Sequence, residues 1–278
     1  MFLFNFGDEL FVVRSIVFLV SIQILISSSE SLYDHRIYSN TQWLAWQYIR
    51  MSKPLFRKNT VIEKTLNFLF NYPSVLLLFA FRLILALYLL FQVYTNTNPQ
   101  LTVALILLIT GLGFILSWRN TYSNNGADQL ANIILIAVSI STLEGEGSVI
   151  KTLSIIFIAC QSQLSYLTSG FFKFLEKDWR NGTSLKGIFS TEVFGHPLVK
   201  RIMDRRPLSY KIVSTAIIYG ELTLGCSMFF PSKITLALLV AGAIFHFLTA
   251  VIMGLNGFFW AFVATYPAVY FLSLRIHQ

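Results

Sequence analysis

QSQLSYLTSGFFKFLEKDWRNGTSLKGIFSTEVFGHP, residues Gln161 to Pro197, is the stretch on which the reading of the whole chain turns. Its first part continues an apolar run that begins near residue 150 and stops at a lysine, Lys173. Trp179, a Gly182-Thr183 turn and a Phe194-Gly195-His196-Pro197 end follow. With no second apolar run inside it, the stretch reads as the end of a membrane-crossing helix that holds something polar at the bilayer boundary.

Outward from it, segments long enough to cross about 30 Å of hydrocarbon lie near residues 10–27, 68–93, 101–118, 128–143, 150–172, 209–230, 234–252 and 257–274. The expected fold is therefore all-α, a polytopic membrane helical bundle of about eight transmembrane helices. An interfacial helix is expected after the first, where TQWLAWQYIRM supplies Trp43, Trp46 and Tyr48 for an aromatic belt. Composition points the same way. With 278 residues, 55% of them hydrophobic and 12% charged, and a mean hydropathy of +0.65, the chain is too apolar for an ordinary soluble domain. No internal repeat or long linker interrupts it, so one integral membrane domain over residues 1–278 is the simplest organisation.

The net charge of +8 would suggest a nucleic-acid partner in a soluble chain, but here the basic residues sit in particular connections. The first connection holds Arg36, Arg50, Lys53, Arg57, Lys58 and Lys64, the third Arg119, and the fifth Lys177, Arg180, Lys186, Lys200, Arg201, Arg205 and Arg206. The second, TNTNPQ, has no charge, the fourth, EGEG, is acidic, and the sixth offers only Lys233. That bias predicts a multi-pass protein of the cell membrane with its odd-numbered loops in the cytoplasm, and a lipid bilayer rather than nucleic acid as its partner. Leu10 to Ile26 imitates a signal peptide, yet Asp8 and Glu9 stand where a basic leader belongs, so it is read as a retained helix. Cys160 and Cys226 lie in apolar runs and form no disulfide framework or zinc spacing, so no metal is expected. Phosphate loops, zinc-protease helices and nucleophile elbows are missing from the sequence.

An ionised side chain at mid-bilayer costs roughly 2.5–3.5 kcal/mol on insertion scales, so each one needs a reason. Arg14 lies one turn into the first helix and can snorkel. Arg82 lies deeper and needs a counter-charge, for which Glu221 is the evident candidate, as a structural or a functional ion pair. His246 sits two thirds along the seventh helix, where a hydrogen-bonded packing role competes with a ligand role. Taking about 100° per residue, Gln163, Tyr166, Gly170 and Lys173 fall within about 80° of one another, one polar face ending in an amine, with Gly170 leaving room for an approach. Lys173 then has two readings. It snorkels to headgroups, or it serves as a general base with Glu221 and His246 orienting it or relaying its proton.

The run YLTSGFFKFLEKDWRNGTSL (Tyr166 to Leu185) resembles the signature of the HTTM family, the transmembrane domain related to vitamin K-dependent gamma-carboxylase. NNGADQL (Asn124 to Leu130), YGELTLG (Tyr219 to Gly225) and FHFLTAVIMGLNGFFWAF (Phe245 to Phe262) fit the same order, and together these pieces cover roughly residues 70 to 272. The Gly-Ala-Asp-Gln, Trp-x-x-Gly-Thr and Phe-Gly elements are most similar to the SdpB branch, the membrane proteins of sporulation-delaying-protein type antimicrobial peptide systems. What the resemblance implies is maturation of a secreted toxin peptide from its precursor, with a small companion protein as partner. It also implies a base role for Lys173 and a quinone-type cofactor. From the residues themselves, Glu221 and His246 join Lys173 as catalytic candidates, and Gln163, Tyr166, Gly170, Trp179 and Asn256 are the pocket candidates. Two departures stand out: the large extramembrane region of the carboxylase is missing, and FKFL replaces its paired lysines. The carboxylase also works on the lumenal side, whereas the charge bias puts the loop after Lys173 in the cytoplasm. Three functions are left open: a peptide-maturation factor, a membrane enzyme using a quinol or lipid-soluble cofactor with Lys173 as base, and a non-catalytic immunity or scaffold protein.

Overall fold

A computed structural model describes residues 6–53, 61–95, 98–120, 125–143, 148–206 and 208–277. Arg57, Lys58, Asn96, Thr97, Asn124 and the EGEG loop, which entered the charge and motif readings, lie outside the described residues. Among the described residues there is no strand. The helices are α1 (Glu9–Tyr33), α2 (Trp46–Ile49), α3 (Val61–Phe70), α4 (Ser74–Thr95), α5 (Pro99–Arg119), α6 (Gly126–Leu143) and α7 (Val149–Leu175). They continue with α8 (Lys177–Arg180), α9 (Thr183–Phe189), α10 (Pro197–Asp204), α11 (Leu208–Leu224), α12 (Ser232–Met253), α13 (Asn256–Val263) and α14 (Tyr266–Ile276).

The protein is an all-α polytopic bundle. Six helical stretches among the described residues are long and apolar enough to cross a membrane: α1, α4, α5, α7, α12 and the joined α13–α14. The expected spans at 128–143 and 209–230 are also helical but shorter, as α6 and α11. α11 stops at Leu224 because a 3-10 turn, Ser227–Phe229, takes over. Local chemistry sets several ends. Asn98 Oδ1 accepts from Leu101 N at 3.0 Å with Pro99 in the first turn of α5, Ser148 Oγ caps α7, and Gly254, at φ 72°, closes α12.

The chain divides into two compact units, Val17–Gly145 and Met1–Ile16 with Glu146–Gln278. In the first, α4 packs on α5 and α5 on α6. After α1, Trp43 and Tyr48 are exposed, while Trp46 turns inward, donates to Asn67 Oδ1 at 2.7 Å and meets Phe70 edge-on. Arg119, counted above with the loop charges, is the last residue of α5 and is fully buried. Its guanidinium donates to Leu44 O at 2.9 Å, Phe70 O at 3.4 Å and Asn120 Oδ1 at 3.0 Å, and lies 4.8 Å above the Tyr38 ring. Across the same unit, Asp128 Oδ1 accepts from Gln23 Nε2 at 3.2 Å and Ser27 Oγ at 2.9 Å.

The second unit is built on α7, with α11 and α14 packed against it. A Cβ added at Gly170 would sit 3.1 Å from Leu222 N, and one at Gly225 would sit 2.9 Å from Leu167 N. These reciprocal contacts, 170 with 222 and 167 with 225, define an antiparallel crossing in which small residues let two backbones touch. α8 to α10 form a cap on α11, joined to it by a small apolar cluster of Leu185, Phe189 and Met203 with Tyr210 of α11. Gly182, at φ 86°, lies so close to the backbone of Tyr210 and Lys211 that a side chain there would collide.

Candidate functional site

The close crossing of α7 and α11 brings their polar residues face to face. Lys173 Nζ, in the last turn of α7, donates to both Oε1 and Oε2 of Glu221 at 2.7 Å each and to Ser169 Oγ one turn back. The Lys173 side chain keeps 18% of its surface accessible and Glu221 only 9%, so the acid is the enclosed member of the pair. Trp179, half-buried in α8, places its ring 5.2 Å from the ammonium, and α8 is fastened to α11 by Ser214 Oγ donating to Trp179 O. An ammonium with a carboxylate, a hydroxyl and an aromatic face around it has replaced the hydration it gave up.

Two turns back along the same face of α7, Tyr166 Oη lies 2.7 Å from His246 Nε2 on α12 and 2.8 Å from Tyr266 Oη on α14. All three are buried, and His246 stacks on Phe262 with ring centroids 4.4 Å apart. A hydroxyl between an imidazole nitrogen and a second hydroxyl can donate one way while accepting the other, so a proton can be handed along the row. Beside the two clusters, α11 and α12 leave a groove of about 620 Å³ whose wall is almost wholly apolar, with Glu221, Gly220 and Gly242 along it.

Of the residues singled out in the sequence, Lys173, Glu221, Tyr166, His246 and Trp179 come together here. The expected pairing of Glu221 with Arg82 is corrected: both carboxylate oxygens go to Lys173. Arg82 belongs to the Val17–Gly145 unit, where it is buried and its Nε has no hydrogen-bond acceptor among the described residues. Gly170 does not leave room for an approaching molecule, because Leu222 of α11 fills that space. Gln163 is buried and donates to Ser227 Oγ at 3.2 Å, which ties α7 to the turn after α11, and Asn256 is exposed at the start of α13. Two members were missed. Ser169 stands four residues before Lys173, a spacing that places it on the same helix face. Tyr266 lies just past the break between α13 and α14, in a stretch read as one continuous span; Pro267 was the available signal. Among the described residues, no group of three or more His, Cys, Asp or Glu side chains is placed to hold a metal.

Fold and site together define a multi-pass helical membrane protein with an acid–amine pair set among its helices. Residues 138–273, which include every member of both clusters, match the model of the HTTM domain, and this supports the HTTM family. No curated protein and no solved structure gives a significant match to the chain.

Proposed function

We propose that this chain is an SdpB-like membrane protein required for maturation of a secreted antimicrobial peptide, and that it acts through the Lys173–Glu221 pair. What carries the reading is where the residues of the sequence resemblance lie. Lys173, Trp179 and Glu221 surround one ion pair, and the Gly182 turn seats α8 and α9 against α11. Crossing a bilayer by itself gives polar and aromatic residues no cause to converge on one amine. A secreted peptide precursor and a small companion protein are its partners in this reading. The test is co-expression of the three and measurement of processed peptide outside the cell. Lys173→Gln and Glu221→Gln each also strand one member of the pair, so output is scored per folded molecule; each should abolish it, and undiminished processed peptide per folded molecule from either variant sinks the proposal.

A second reading, a membrane enzyme using a quinol or other lipid-soluble cofactor, is favoured by the apolar groove along α11 and α12. Its lining with one carboxylate fits such a molecule, and Glu221, Gly220 and Gly242 would flank it. A quinol would supply acidic hydroxyls and reducing electrons. Lys173 is the base in this reading, held in place by Glu221 and Ser169. Lys173→Arg keeps a cation opposite Glu221 but removes a readily deprotonated amine. Activity should disappear in that variant, and full activity in it excludes Lys173 as the base.

A further inference from the structure

α10, PLVKRIMD, has two apolar stripes where a cap helix needs one. Val199 and Met203 face inward, onto Leu185, Phe189 and Tyr210. Leu198 and Ile202, one helical turn apart on a neighbouring stripe, are 60% and 66% exposed. Val193, just before the helix, is 76% exposed as well. Beside this outer stripe stand basic residues, Arg201 in the helix and Arg205 and Arg206 just past its end, all exposed, while Lys200 lies on the opposite side of the helix. Among the described residues, none of the four has a carboxylate within salt-bridge distance. The one acid in the helix, Asp204, accepts from Tyr210 Oη at 2.8 Å. Water is a poor neighbour for exposed leucine and isoleucine, and three uncompensated cations are poor neighbours for one another. A leaflet with anionic headgroups answers both, since its acyl boundary takes the apolar stripe and its phosphates take the cations. The position agrees, because α10 lies between the end of one apolar helix, α7, and the start of another, α11.

We propose that α10 is an anionic-lipid docking surface, with Leu198 and Ile202 inserted at the acyl boundary and Arg201, Arg205 and Arg206 gripping phosphate headgroups. This holds whichever function the Lys173–Glu221 pair performs. The test uses the full chain in nanodiscs of phosphatidylglycerol or of phosphatidylcholine with the same acyl chains. Leu198→Cys carrying an environment-sensitive fluorophore should emit as in an apolar medium in phosphatidylglycerol discs. In native mass spectrometry from detergent, the protein should retain phosphatidylglycerol over phosphatidylcholine. Each basic residue contributes roughly fivefold at low salt. The triple glutamine variant of Arg201, Arg205 and Arg206 should therefore lose at least tenfold of that preference. Ile202→Ser, a milder change, should weaken insertion without removing the preference. Three results overturn the proposal: water-like emission from the probe in phosphatidylglycerol discs, undiminished lipid preference in the triple variant, or displacement of bound lipid by millimolar inorganic phosphate, which would mark a simple anion site.

Discussion

Each of the two units buries a cation among apolar helices, and they accommodate it in opposite ways. In Val17–Gly145, Arg119 spends its donors on main-chain carbonyls and a neighbouring amide and stacks on Tyr38. In the other unit, Lys173 meets a carboxylate that borders an open groove and has a hydrogen-bonded Tyr–His–Tyr row close by. Carbonyl oxygens cannot change charge, so the Arg119 arrangement can only clamp. A carboxylate can take up a proton, so the Lys173 arrangement has two charge states available. The difference teaches that an intramembrane charge points to chemistry when its partner is itself titratable and accessible, and to architecture when its partner is the backbone.

The most damaging way to probe this contrast is Glu221→Leu, which strands the ammonium. Removing one member of a buried pair costs about 3–5 kcal/mol, and the partial accessibility of Lys173 brings the expected loss toward the lower end. Thermal unfolding in detergent measures it. Adding Lys173→Met should restore most of the stability, while peptide output stays absent if the pair does chemistry and returns if it only joins helices. Next comes Arg119→Leu, which orphans two buried carbonyls and should cost about 2–4 kcal/mol. Output per folded molecule should be unchanged, and a fall as steep as that of Glu221→Gln would erase the contrast between the units. Gly170→Val should cost about 1–3 kcal/mol by forcing α7 and α11 apart. Output should drop further than the stability loss explains, because Lys173 and Glu221 sit on the separated faces. Tyr166→Phe removes both of its hydroxyl bonds for about 1–2 kcal/mol, and any loss of output beyond that, measured at equal abundance, would show that the row takes part in the chemistry. Smallest is Trp179→Leu, about 0.5–1 kcal/mol from the lost cation–π contact, read as a minor shift in melting temperature.

Much of the fold was legible because hydrocarbon leaves a backbone few choices. Runs such as 101–118 and 234–252 declare themselves by length and apolarity, and they reappear as α5 and α12. Boundaries were less legible where a run is apolar throughout but its geometry changes, as at the end of α11 and at the bend before Tyr266. For the site, the lysine, the glutamate, the histidine and Tyr166 were visible as polar residues inside apolar helices. Partnership was not. Arg82 and Lys173 are equally plausible counter-charges for Glu221 in one dimension, and only the tight crossing made by Gly170 and Gly225 selects the second. The same crossing fills the space at Gly170 that the sequence left open for a ligand.

What the sequence determined by itself is the solvent: a chain this apolar, with charges gathered in connections, has to be helical and multi-pass, since an unpaired backbone group in lipid costs several kcal/mol. What only the tertiary structure decided is which polar side chains meet. Side-chain pairing depends on helix rotation and ångström-scale approach between segments almost fifty residues apart in sequence, and hydropathy carries no information about either.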